Sequence, residues 1–471
     1  MVEDHAKEEL IMMIRPKMGF IIFGVHKDGL EDPMGVKFIN DELMEKGKEL
    51  IKAKGVDLVE NDIVVAYKHE AKEALRKLKH DDSVDGVILY SGTWVWASEL
   101  VAAVRDFERC GKGVIIWTAP GSQGWRLVGT LALGASFKEI GMKYRSVYGL
   151  DDATVEKVAC FSRACALRNK LNLSTVGAFG GRGMGLTCGV ADPSQWMKVF
   201  GVDIDSRDSM NILKAADAAT KEEIEEVKET LIKPYFEELP PDDDCTERSI
   251  RLYLGIKKVI EEEKFDMYVI QSFPGVADMY AASCFAQSMM LQQGIPSATL
   301  CDFNNVMTVF LLSNLSNDPV YYGDFQCIDK DKKEVKVIGD GACAPSLSGP
   351  RKARFAHHGL PTEGEAGGLS VEAVLKPGKV VMARVGRDNG EFEVILHRGT
   401  VYTPDEEELE RQRKISGMWF WPHAFIKMDV DYDLGVQIWN GEYITLAYGD
   451  TEIYDTIKEF CYLMDIKLIE M

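Results

Sequence analysis

Gly86-Val-Ile-Leu-Tyr-Ser91 and Gly113-Val-Ile-Ile-Trp117 are short, uninterrupted apolar runs, each opened by glycine. Runs of this kind are strands buried on both faces, as found in parallel sheets covered by helices. Their surroundings agree. Gly19-Phe-Ile-Ile-Phe-Gly-Val25 and Val56-Asp-Leu-Val59 are further strand candidates, while 35–53 and His69 to Leu78 carry helical spacing. Strand and helix therefore alternate through residues 1–150, which predicts an N-terminal α/β domain of Rossmann-like type.

A second α/β unit is expected over 151–327. Asp151 to Leu171 reads as a long amphipathic helix, and Ser174-Thr-Val-Gly-Ala-Phe179 as a strand. Two acidic helices are expected at 206–235 and 244–263, with Pro240-Pro-Asp-Asp-Asp244 between them. Phe265-Asp-Met-Tyr-Val-Ile270 is again a strand, and helices are expected near 276–293 and 303–315. Glu222 to Glu229 reads as a solvated helix face. From 328 to 471 the texture becomes β-rich and barrel-like. Lys379-Val-Val-Met-Ala-Arg-Val385 and Phe392-Glu-Val-Ile-Leu396 are its clearest strands, and a helix at Ile453 to Met464 and a strand at Lys467 to Ile469 close the chain.

Composition excludes several functions. The 471 residues carry 55 Lys plus Arg against 75 Asp plus Glu, a formal net charge of −20. Such a surface repels phosphate backbones and anionic lipid, so neither nucleic acid nor membrane is an expected partner. Met18 to Val25 is too short to span a bilayer. The charged start lacks a secretory pattern, and the ten scattered cysteines contain no Cys-x-x-Cys pair, so reduced thiols in a cytoplasmic protein are expected.

Gly180-Gly-Arg-Gly-Met-Gly185 follows a strand, but its glycines fit the dinucleotide spacing badly, and a tight turn with close backbone approach is the better reading. Asp302 and Asp324 lie at the ends of apolar runs, where open α/β sheets line their ligand crevices. Two such carboxylates suit a hard divalent cation, or alternatively a helix cap and a turn. His357, His358 and His423 are the nearby imidazole candidates, and His423 also reads as a core histidine. Arg182, Arg126 and Lys27 are candidate anion partners or plain surface charges.

Ala281-Ala-Ser-Cys284, Gly294-Ile-Pro296, Cys301-Asp302 and Tyr322-Gly-Asp324 together resemble the L-fucose isomerase and L-arabinose isomerase superfamily. The resemblance implies aldose–ketose isomerisation, with Asp302 and Asp324 as metal ligands. Two carboxylates on either side of the substrate favour an ene-diol route, with Asp302 and Asp324 as base and acid, over the alternative of a metal-assisted hydride shift. His423 looks like the third ligand and His357 like a fourth. The implied ion is Mn2+, with Mg2+ or Co2+ as alternatives. Trp94, Met184 and Gln271 are the implied sugar contacts, Trp94 in a neighbouring subunit's site, and the implied assembly is a homotrimer or homohexamer with shared active sites. Arg182, read from the loop itself, is a further substrate-binding candidate, a fork for an anionic or polyol ligand. Asp302 stands where the family has glutamate, which withdraws the carboxylate by ~1.5 Å. Pro422 stands where fucose isomerase has asparagine. A modified sugar, an aldolase or epimerase outcome, and a non-catalytic sugar-binding protein are the other readings consistent with these residues.

Overall fold

The computed structural model describes residues 13–24, 41–61, 63–121, 125–358, 367–415, 421–428, 430 and 432–471. The chain divides into two compact units. One takes in Ile14–Lys170 and Asp455–Asp465, the other Leu171–Tyr454 and Ile466–Met471.

The first unit holds a five-stranded parallel sheet. Its strands are β1 (Lys17–Phe23), β2 (Asp57–Glu60), β3 (Gly86–Ser91), β4 (Gly113–Thr118) and β5 (Arg145–Tyr148), in the order β2-β1-β3-β4-β5. Every residue of β3 and β4 is buried, the condition that the apolar runs demand. Helices Asp41–Ala53, Lys68–Lys79, Ala97–Glu108, Arg126–Glu139 and Asp152–Leu171 alternate with the strands. Residues 35–40 of the expected first helix, and Val25 of the first strand, lie outside the described residues.

The second unit opens with a four-stranded parallel sheet. Strands β6 (Thr175–Phe179), β7 (Asp203–Arg207), β8 (Met267–Ile270) and β9 (Ser297–Ala298) are ordered β7-β6-β8-β9. The helix expected at 206–235 is interrupted. Asp208 caps a helix at Ser209–Asp217, and Thr220 with Glu223 forms a capping box that starts another at Lys221–Val227. Two caps twelve residues apart leave no room for one continuous helix. In the second of these, Ile224 and Val227 face inward while the glutamates are exposed, as a solvated helix face requires.

The remaining strands are β10 (Tyr321–Asp329), β11 (Glu334–Ile338), β12 (Arg354–His357), β13 (Leu369–Glu372), β14 (Gly378–Asp388), β15 (Glu391–Tyr402), β16 (His423–Lys427), β17 (Tyr443–Tyr448) and β18 (Lys467–Glu470). The large sheet runs β14-β17-β10-β11-β16-β15-β18, and β14 also pairs with β15. Six strands therefore close into a barrel, with β18 added in parallel to β15. The fold is thus α/β, with two Rossmann-like parallel sheets and a β-rich C-terminal sheet. None of the ten cysteines forms a disulfide. Among the described residues no helix is long and apolar enough to cross a membrane.

Candidate functional site

The turn that presents Asp302 is built by backbone shape. After β9, Leu300 and Cys301 both adopt positive φ, 58° and 51°, and Asp302 then caps the buried helix Phe303–Ser313. The Asn305 N–H donates to Asp302 Oδ1 at 2.9 Å. Arg384 of β14 donates from Nη2 to Asp302 Oδ2 at 3.0 Å and from Nη1 to the Tyr443 carbonyl at 3.2 Å. Both members of this ion pair are buried, Asp302 2% and Arg384 0% exposed. Gly441 makes room for it, since a side chain there would run into the guanidinium.

Barrel register gathers three more carboxyl groups. Asp324 of β10 pairs with Tyr443 on one side and with Ile338 on the other. Glu442 directly precedes Tyr443, and Asp340 follows Ile338 by two residues. The Tyr443 hydroxyl reaches Asp340 Oδ2 at 3.3 Å and shares a 2.9 Å bond with Thr299 Oγ1. Burial pushes the Asp324 carboxyl up to about 8, helped by Asp340, Glu442 and Asp302 and opposed by Arg384. Burial likewise raises Glu442, with Asp302 and Asp340 adding and Arg384 opposing. Asp340 is also raised by burial, against hydrogen bonds from Thr299 and Tyr443. Asp324 and Glu442 line a cavity of about 690 Å³, together with Phe325, His397, Trp439 and the apolar Ile328, Val335, Met428 and Met471.

This centre contains four carboxyl groups and one guanidinium. Asp340 Oδ1 and Glu442 Oε1 are buried without a hydrogen-bond partner among the described residues. Unpartnered carboxyl oxygens are hard donors of the kind a divalent cation takes. As the side chains stand, no three His, Cys, Asp or Glu among the described residues are disposed to hold one.

The residues singled out in the sequence are distributed as follows. Asp302 and Asp324 come together through the electrostatic coupling just described. His423 is fully buried at the start of β16, its Nδ1 2.6 Å from the Trp421 carbonyl, and burial together with Lys336 lowers it to about 3. It pairs with Ile338, as Asp324 does from the other side, so their backbones lie two strand spacings apart, ~10 Å. His357 is exposed on β12 and sits near Asp243. Its neighbour His358 turns inward, bonds the Asp340 backbone, and is lowered to about 4 by burial.

Gln271 and the glycine loop meet the Asp302 turn. The Gly181 N–H donates to Gln271 Oε1 at 2.9 Å, and the Gly183 N–H to the Leu300 carbonyl at 3.2 Å. A side chain at Gly183 would strike the Leu300 backbone, so the loop is the close-approach turn its glycines require. Arg182 and Met184 are exposed on it, Met184 at φ 46°. Trp94 is half-buried in the first unit. Arg126 is not a surface charge. It is 4% exposed and donates to the Pro120 carbonyl at 3.1 Å, because it opens a helix packed on β3 and β4. Lys27 lies outside the described residues.

Asp340, Glu442 and Arg384 carried no sequence signal. Each is a single charged residue beside a strand or within one, indistinguishable from a surface charge until the barrel closes.

Fold and site together define a two-unit α/β protein whose β-barrel carries a carboxyl-rich centre opening on a cavity. No family model matches the chain. It is similar to a protein named sulfoquinovose isomerase from Alkalicoccus urumqiensis, 24% identical over 326 residues, which cover 67% of this chain and 72% of that protein. It is also similar to a protein of the same name from Clostridium sp. (strain MSTE9), 22% identical over 281 residues, 58% of this chain and 62% of that one.

Proposed function

We propose that this chain is an aldose–ketose isomerase acting on a modified sugar. The observation that carries the reading is the pair of carboxyl groups, Asp324 and Glu442, on the wall of one cavity. Isomerisation moves one proton between adjacent carbons and one between their oxygens, with no net redox change, so two carboxyl groups suffice as acid and base. Asp324, pushed up to about 8, holds its proton at neutral pH and serves as the acid. Glu442 is the second carboxyl group on the cavity wall and takes the base role. Asp302 stays behind them, tied to Arg384, and its charge tunes both. The likeness to two sulfoquinovose isomerases supports both the reaction and a modified sugar as substrate.

Mn2+ is the proposed ion, and Asp340 and Glu442, whose oxygens left unpartnered among the described residues are free to take it, are the groups that would hold it. When bound, it supplies the positive charge that stabilises an ene-diolate. A homotrimer or homohexamer is the proposed assembly. Its support is the set of exposed apolar side chains in the first unit: Trp96, Trp125, Leu127, Val128 and Leu131. The proposed setting is cytoplasmic.

The test is a turnover screen of pentoses, hexoses, deoxy sugars and sulfonated sugars, with and without Mn2+, run in D2O. Aldose–ketose conversion with solvent deuterium on the product carbon is expected. Binding without conversion of any sugar, with or without metal, refutes the reading.

A further inference from the structure

Three aromatic rings run together along the cavity that Asp324 and Glu442 share. Phe325 and Trp439 meet edge to face, with centroids 4.8 Å apart and an interplanar angle of 84°. His397 lies tilted against the same indole at 5.8 Å. They come from β10, β15 and the segment before β17, so barrel closure assembles the group.

Two of the rings carry an unmet polar atom. His397 is 1% exposed, and its Nδ1 has no hydrogen-bond partner among the described residues. Trp439 Nε1 is buried in the same condition. Buried polar atoms are costly to leave unsatisfied, and both belong to residues that line one cavity, so a ligand that enters it and draws these side chains toward it supplies the missing partners. Burial lowers His397 to about 4, so its ring is neutral at pH 7 and offers one donor and one acceptor. No lysine or arginine is among the described residues of this wall. The surface therefore suits hydroxyl groups and an apolar carbon face, and it offers an anionic group no counter-charge.

We propose that Phe325, Trp439 and His397 form the recognition face for the hydroxylated carbons of the substrate sugar. Trp439 Nε1 donates to one hydroxyl and His397 Nδ1 bonds another, while the rings pack against C–H groups. The inference rests on the isomerase reading, because it places the reacting sugar in the cavity of Asp324 and Glu442. It adds which part of the sugar this wall reads.

The test measures binding apart from turnover. The full chain is titrated by calorimetry and by tryptophan emission with D-glucose and with 6-deoxy-6-sulfoglucose, which differ in charge at C6. Trp439→Phe keeps the ring and loses the N–H, and His397→Leu removes the imidazole. Each variant should weaken both sugars by the same ~2- to 10-fold factor. KM should rise more than kcat falls, and the thermal melt of Trp439→Phe should match that of the parent. Unchanged affinity in Trp439→Phe, failure of the parent to bind either sugar, or a loss confined to the sulfonated sugar overturns the proposal. Trp439-dependent binding without conversion would sink the isomerase reading and leave this face standing. Conversion with unchanged KM in Trp439→Phe would do the reverse.

Discussion

Arg384→Met is the substitution that tests the centre most directly. Arg384 is fully buried, and its charge opposes the raised pKa values of both Asp324 and Glu442. Methionine keeps much of the volume. What is lost is the 3.0 Å ion pair to Asp302 and the 3.2 Å bond to the Tyr443 carbonyl, and Asp302 is left charged in a dry site. Stranding one member of a buried pair costs ~3–5 kcal/mol. The unit that contains it has about 300 residues, for which unfolding entropy is ~0.6 kcal/mol per kelvin, so ~4 kcal/mol lowers Tm by ~6 °C. Urea unfolding followed by near-UV circular dichroism measures the loss. Arg384→Met combined with Asp302→Asn should recover ~2 kcal/mol of it, because asparagine keeps the cap on Asn305 and removes the stranded charge. Loss of less than ~1 kcal/mol in Arg384→Met, or strict additivity in the double variant, would refute the view that this ion pair organises the centre.

The other expected outcomes follow from the same geometry. Asp324 has a folded pKa of about 8, above its unfolded value of 3.8, so the folded state binds the extra proton and wild-type stability falls as pH rises from about 4 to 8. Asp324→Asn should flatten that fall, be more stable than the parent at pH 8 and lose its advantage near pH 4, as urea midpoints across pH will show; it should also abolish deuterium exchange. His423, lowered to about 3, acts in the opposite sense: its neutral folded form resists protonation, and stability is lost as pH falls below 6.5. His423→Gln should shift the acid-unfolding midpoint downward; an unmoved midpoint would show that this burial term is absent. Gly183→Ala places a Cβ 2.5 Å from the Leu300 carbonyl oxygen, a backbone atom with no rotamer to yield, so a loss of ~1–3 kcal/mol is expected together with faster proteolysis in the 180–185 loop. Glu442→Gln should lower Mn2+ retained after gel filtration, whereas His423→Gln should not; the reverse result would return the imidazole to the proposed ligand set.

Strands β3 and β4 lie where their apolar runs put them, and helices Lys68–Lys79, Asp244–Glu263 and Phe303–Ser313 start within a residue of expectation. Those features are legible because burial pattern, cap and helix period are local. Asp302 and Asp324 could be picked out for the same reason, since each sits at a readable boundary of an apolar run. Partnership is a different matter. Arg384 meets Asp302 across 82 positions of sequence, and Glu442 reaches the centre only because β17 pairs with β10 in the register that sets Tyr443 opposite Asp324. Register and closure depend on which distant strands share a ladder, here on β14 pairing with both β15 and β17. No local periodicity encodes that choice, so the position of the carboxyl groups belonged to the sequence, while the tertiary structure decided which of them face one another, which cation restrains them and which rings share their cavity.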